Sequence, residues 1–292
     1  WRDNPPGRLS EVWVISTEGE DPVKVSGDLR ESLSRTGPTW SPDGRLIAFG
    51  QIVRALSFRS EVCLIPVSEK GRPLASPVQI ELPQFSRDFL TGWTPDNKIG
   101  LLLETPYHMY VYTVPVSGGK ATQVSPLDGL ASHPHWSPDG KRIIVRWNQG
   151  GLGSIPMDGG EVSVHPAHEG ALKNGFFTIY PGAGNSVSPD GKSVVFSAGT
   201  ATSGPNIYTI PAEGGEPKQI ISGGKYPCWS PDGKWIAYLN SEIIADNKKI
   251  STIFKVPAAG GEAQKITTES DNVTEAGLDW SPDGKTIVYF SK

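Results

Sequence analysis

Short apolar runs recur along this chain, and each follows a polar, turn-forming segment. The runs are Leu46-Ile47-Ala48-Phe49, Ile143-Ile144-Val145, Val194-Val195-Phe196, Trp235-Ile236-Ala237-Tyr238 and Ile287-Val288-Tyr289. Their β-branched and aromatic make-up predicts strands, and their near-continuous apolarity predicts cover on both faces. The segments before them are copies of one motif: Trp40-Ser41-Pro42-Asp43-Gly44, Trp136-Ser137-Pro138-Asp139-Gly140, Val187-Ser188-Pro189-Asp190-Gly191, Trp229-Ser230-Pro231-Asp232-Gly233 and Trp280-Ser281-Pro282-Asp283-Gly284. A sixth, Trp93-Thr94-Pro95-Asp96-Asn97, differs at two places. A period of roughly 40–50 residues belongs to propeller blades or to helical arrays, and strand-type runs exclude the arrays.

Each motif encodes a tight hairpin. Pro presets φ at the second position of a type I turn, Ser and Asp bond locally to the backbone, and Gly supplies a left-handed residue. Asn97 is the next-best occupant of that conformation. A second motif alternates with the first, reading Val-Pro or Ile-Pro and then, after two residues, Gly-Gly. Its copies are Val114-Pro115…Gly118-Gly119, Ile155-Pro156…Gly159-Gly160, Ile210-Pro211…Gly214-Gly215 and Val256-Pro257…Gly260-Gly261, with looser versions at Ile65-Pro66 and at Val14 to Gly19. Pro there suggests an outer strand, where a missing N–H is tolerated.

One repeat therefore holds four strands, A and B about the Pro-Asp-Gly turn and C and D about the Gly-Gly turn. The chain opens with a C–D hairpin (about 11–25) and closes with an A–B hairpin (about 278–291). These two halves are expected to pair as one blade and close the ring, leaving short edges. The fold expected is all-β: a six-bladed β-propeller of four-stranded antiparallel blades, one domain spanning 1–292.

The Trp-Ser-Pro-Asp-Gly-Lys repeat, its following strand and the Ile-Pro-x-x-Gly-Gly turn resemble the TolB-like propellers, which are related to the propellers of tricorn and prolyl oligopeptidase-type peptidases. The likeness runs the length of the chain. It rests on scaffold residues, so it speaks to fold more than to function. It implies a non-enzymatic binding or scaffolding propeller in the periplasm or outside the cell. The alternative is a propeller enzyme, a lyase or glycosidase on acidic glycans, or the propeller module of a peptidase.

Composition narrows this further. The 292 residues carry a net charge of −4, which gives no general attraction to nucleic acid. No apolar run approaches the ~18 residues of a spanning helix. Binding is expected where the B–C and D–A connections crowd the channel, a top-face funnel. Three connections look long there: Gln51–Ser60, His165–Asn185 and Asn240–Ser251. Candidate ligand-binding residues are Arg35, Arg54, Arg59, Arg87, His133, Arg146, Trp147, Phe177, Tyr180, Lys225 and Tyr226. Such a funnel suits a protein, peptide or saccharide ligand, taken up by a monomer.

His108, His133, His135, His165 and His168 raise a metal site, but Pro134 and Pro166 interrupt the segments and no carboxylate is spaced to join them. No cofactor fingerprint and no Gly-x-Ser-x-Gly elbow occurs. Cys63 and Cys228 fall in blades 1 and 5, too far apart to bridge, and are expected to be free and buried.

Overall fold

The structure is a computed structural model. It describes residues 11–19, 22–26, 34–54, 58–80, 82, 88–104, 109–124, 132–147, 151–158, 163–165, 186–200, 204–243, 249–268 and 273–291. The first two strands are β1 (Glu11–Ser16) and β2 (Val23–Lys24). Blade 1 follows as β3 (Ser34–Trp40), β4 (Leu46–Arg54), β5 (Phe58–Pro66) and β6 (Val78–Ile80). Blade 2 is β7 (Asp88–Trp93), β8 (Ile99–Glu104), β9 (Met109–Val114) and β10 (Thr122–Gln123). Blade 3 is β11 (Ser132–Trp136), β12 (Arg142–Trp147), β13 (Gly151–Pro156) and β14 (Ser163–His165). Blade 4 holds β15 (Ser193–Thr200), β16 (Gly204–Pro211) and β17 (Lys218–Ile221). Blade 5 is β18 (Lys225–Trp229), β19 (Trp235–Ile243), β20 (Lys249–Pro257) and β21 (Gln264–Lys265). The chain ends in β22 (Val273–Trp280) and β23 (Thr286–Ser291), and β23 pairs with β1 from Glu11↔Ser291 to Ser16↔Thr286. The sixth sheet thus runs β2-β1-β23-β22, and the molecule is an all-β, six-bladed propeller.

The Pro-Asp-Gly turns form as their chemistry requires. In blade 3, Ser137 Oγ donates to Asp139 Oδ1 at 2.6 Å, the Lys141 N–H donates to the same oxygen at 3.0 Å, and Gly140 N–H reaches Ser137 O at 2.9 Å. Gly140 has φ 69° and Asn97, in the variant turn, φ 59°. The turns also touch one another around the ring. A Cβ on Gly140 would lie 3.5 Å from Pro95 of blade 2, and one on Gly284 3.5 Å from Pro231 of blade 5.

The motif tryptophans wedge between blades. Trp93 packs on Ala48, Val62 and Leu64 of blade 1, Trp136 on Leu102 and Val111 of blade 2, and Trp280 on Ala237 and Leu239 of blade 5. The second strand is narrow at three of the rungs a wedge presses, Ala48, Gly100 and Ala237, and carries valine at the other two, Val195 under Trp229 and Val288 under Trp40. Blade 4 replaces the wedge by Val187, and the facing residue of blade 3 is the bulkier Ile144. Volume lost on one side is restored on the other, as close packing demands.

Among the described residues blade 4 has a three-stranded sheet with the bridge Val187↔Val194 beside it, and residues 181–185 lie outside the described residues. Two expectations need correction. The motif prolines end the third strand and not the outer one: Pro66, Pro156, Pro211 and Pro257 face Leu46, Arg142, Ser193 and Trp235 on the last rung of pairing. Most of Gln51–Ser60 and Asn240–Ser251 is strand. Pairing continues from Gln51↔Glu61 to Arg54↔Phe58 and from Asn240↔Thr252 to Ile243↔Lys249, carried by Ile52, Val53, Ile243 and Ile250.

Candidate functional site

The backbone sets most of the predicted funnel residues at one end of the ring. Arg35 pairs with Gln51 early in β3, Arg54 ends β4 opposite Phe58, and Arg59 lies one rung inward, opposite Val53. Arg146 and Trp147 end β12, His133 lies in β11, and Lys225 starts β18 opposite Leu239. All lie at strand ends away from the Pro-Asp-Gly turns. Lys225 and Tyr226 are half-buried, and Tyr226 has a left-handed backbone, φ 53°. Blade 6 fills the equivalent position with Gly277, φ 99°. Arg87, Phe177 and Tyr180 lie outside the described residues, as do His108 and His168. Among the described residues no three of His, Cys, Asp and Glu converge as metal ligands.

The opposite, turn-side end of the channel holds the geometry that is fully described. The residue just before each wedge forms an inner ring of six: Thr39, Gly92, His135, Ser186, Cys228 and Asp279. Asp279, 4% exposed, accepts from Thr39 Oγ1 (2.8 Å), from the Trp40 N–H (2.9 Å) and from the Trp280 N–H (2.9 Å). His135 Nε2 and Ser186 Oγ are 3.2 Å apart. Burial, and then the Asp279 carboxylate, push the Cys228 thiol well above its usual range. Trp93 Nε1 donates to Thr39 O at 3.3 Å. A cavity of about 170 Å³ opens here, walled by Thr39, Thr91, His135, Asp279 and the wedge tryptophans, with Pro42, Pro231 and Pro282 at its rim.

The arrangement of blades has close counterparts. A solved structure from Agrobacterium tumefaciens, provisionally assigned as TolB, superposes with a TM-score of 0.67 over 97% of both chains at 20% identity. In fold, this chain is a TolB-like six-bladed propeller. In sequence it is similar to an uncharacterized protein of Agrobacterium fabrum, 29% identical over 164 residues, which is 56% of this chain and 51% of that protein. It is also similar to the Tol-Pal system protein TolB of Francisella tularensis subsp. mediasiatica, 28% identical over 188 residues, covering 63% of this chain and 40% of the relative. The matched region is about half the length of those relatives or less. No family model matches the chain.

The inner ring of this TolB-like propeller was not recognised as a set in the sequence, which raised only His135 as a metal candidate and Cys228 as a buried thiol, although its signal is simple. With the six motifs aligned, the position before the wedge reads Thr, Gly, His, Ser, Cys and Asp, while the motif itself barely varies. A variable position inside a fixed scaffold is where a propeller can carry individual chemistry. Strand alternation points that side chain away from its own blade's wedge and toward the next blade. Hence the Asp279–Thr39 and His135–Ser186 contacts each join neighbouring blades.

Proposed function

We propose that this chain is a protein-interaction propeller of the TolB type, working in the periplasm or outside the cell, and that it receives an acidic polypeptide segment at the channel mouth opposite the Pro-Asp-Gly turns. The observation that carries this reading is the backbone placement of Arg35, Arg54, Arg59, Arg146 and Lys225 at strand ends of that one mouth. A cationic rim steers an anionic partner and makes the association salt-dependent. Tyr226 supports it. A left-handed tyrosine costs roughly 1–2 kcal/mol, and such strain concentrates where a ligand is held. The Francisella relative is named for a Tol-Pal system, so a Pal-type protein is the partner to test first.

Titration calorimetry of the purified chain with a Pal-type protein provides the test. Binding that weakens at least about tenfold in an R54E/R59E/K225E variant, and likewise with added salt, is the expected result. Absence of binding argues against the Pal-type partner. Binding indifferent to the triple substitution removes the rim from the site.

A further inference from the structure

We infer that the outer edge of blade 1 is a docking surface for an extended, acidic segment of a partner polypeptide, which pairs with β6 as a further strand. Blades 2, 4, 5 and 6 join their third and fourth strands by a tight turn, in which the N–H groups of Gly118, Gly214, Gly260 and Gly19 donate back to the carbonyls of Pro115, Pro211, Pro257 and Ser16. Blade 1 instead uses residues 67–77 for this connection. The insertion is tied down. Ser68 N–H donates to Arg72 O, Gly71 N–H to Ser68 O and Leu74 N–H to Pro66 O, each at 2.8 Å, and a Cβ on Gly71 would lie 2.8 Å from Val14 of blade 6. This loop holds Leu74 out at 68% exposure, and Val78 behind it is 57% exposed. Val116, 38% exposed, stands on the adjoining turn of blade 2, where a Cβ on Gly118 would lie 3.7 Å from Ile80. Scattered exposed aliphatics are ordinary, but three of the five large ones among the described residues fall at this edge.

The outer strands are the open edges of a propeller, and lysine guards several of them: Lys24 in β2, Lys218 in β17 and Lys265 in β21. β6 carries no charge, and its far side pairs with no strand among the described residues. On the rung where β6 has Val78, the outer strands of blades 2 to 5 place Thr122, Ser163, Lys218 and Gln264. An added strand satisfies the open row of backbone groups and lays alternate apolar side chains against Val78 and Leu74. Charge defines the rest of the occupant. Lys70, Arg72 and Lys120 are exposed, against the one carboxylate of Glu69 in the described residues 67–80 and 115–124. Acidic residues in the segment complement this edge, and basic ones meet repulsion. The surface shares no residue with the cationic mouth.

The test uses the whole 292-residue chain and three capped heptapeptides. One alternates Glu and Val, the second has Lys for each Glu, and the third has Pro at the central valine of the first. Binding is read by fluorescence anisotropy and by amide shifts. The glutamate peptide should bind saturably, about fivefold or more tightly than the lysine peptide, and should shift the signals of β6 and residues 67–77. The proline peptide should not bind, because it cannot continue the ladder. Val78→Lys installs the missing guard at an exposed position and should abolish binding without lowering Tm. A K70E/R72E variant should bind the glutamate peptide about fivefold more weakly or worse. The R54E/R59E/K225E variant should bind it as the parent does, so edge and mouth succeed or fail separately. Sedimentation of the chain alone and with phosphatidylglycerol vesicles tests the other occupants. Four outcomes overturn the inference: no saturable binding of the glutamate peptide, no preference over the lysine peptide, unchanged binding by Val78→Lys, or a self-association or vesicle binding that Val78→Lys removes.

Discussion

Thr39 Oγ1 donates to Asp279 Oδ2 across 2.8 Å, although 240 residues separate them. The bond joins β22 of the sixth blade to β3 of blade 1 beside the channel, adding to the β1–β23 pairing that closes the ring, and the same carboxylate takes the Trp40 N–H. Asp279→Ala takes the side-chain acceptor from a buried hydroxyl and two buried amides. Its expected cost is about 2–4 kcal/mol in urea unfolding. Asp279→Asn keeps one acceptor oxygen and should lose about half as much. Equal stability of parent and alanine variant would show that the ring closes without this carboxylate.

Lys255 makes a second clasp, between β20 of blade 5 and the turn after β1 in the sixth blade. It is 8% exposed, lies 5.3 Å over the Trp235 ring, and donates to Thr17 O at 2.9 Å and Glu18 Oε1 at 3.2 Å. Lys255→Met keeps the stem but orphans the Thr17 carbonyl. It should lower stability by roughly 1–2 kcal/mol and hasten hydrogen exchange in β1 before the other blades. Glu18→Gln should cost less than about 0.5 kcal/mol, because the Glu18 side chain is 75% exposed.

Gly100 has a packing role that a single substitution exposes. A Cβ there would lie 2.7 Å from Trp136 Nε1 and 2.8 Å from Thr91 Oγ1. Gly100→Ala should therefore cost about 1–3 kcal/mol. Trp136→Phe removes the crowded nitrogen, so the double variant should be more stable than the sum of the two single losses predicts. Simple additivity in a double-mutant cycle would rule out the crowding.

The fold was legible because its determinants are local and repeated. Pro42, Asp43 and Gly44 specify their turn without help from the rest of the chain, and six copies fix the period. The phase of the two terminal hairpins likewise pointed to the β1–β23 blade. Less legible were features set between blades. Nothing near Val187 announces that the facing Ile144 of blade 3 makes up the volume of the absent indole. The strand extensions from Gln51 to Arg54 and from Asn240 to Ile243 were hidden because polar and charged residues interrupt their apolar pattern. The chemistry of Thr39, His135 and Asp279 depends on residues of neighbouring blades, so it emerges only once the ring is closed.

The turn carboxylates give stability an acid limit. Asp139, Asp190 and Asp232 are held below the ordinary 3.8, first by the hydroxyls of Ser137, Ser188 and Ser230 and then by the N–H of the following lysine. A carboxyl that ionises more readily in the folded chain stabilises it fully above the unfolded value, and that contribution fades as pH falls through the folded one. With respect to these groups, Tm should be level above about pH 5 and fall below about pH 4. Ser230→Ala should lower Tm at neutral pH, with the gap to the parent narrowing in acid as Asp232 protonates in both. A gap that is constant across pH would detach the serine from the carboxylate.

Neither cysteine forms a disulfide and both are buried, in separate cores: Cys63 packs with Trp40, Phe49 and Phe290, and Cys228 with Ala237, Leu239 and Trp280. Thiolate is the reactive form, and burial together with the Asp279 charge holds the Cys228 thiol protonated at neutral pH. Iodoacetamide should thus leave Cys228 unmodified while the chain is folded and should alkylate both thiols once denaturant is added, with no reductant needed. The Asp279→Ala variant separates the two causes. It removes the charge but leaves the apolar neighbours, so Cys228 should become reactive only as far as that variant's local opening allows. Labelling of Cys228 at the rate of a free thiol in the folded parent would show that the contact between blades 5 and 6 opens readily, and would weaken the reading of Lys255 as a clasp.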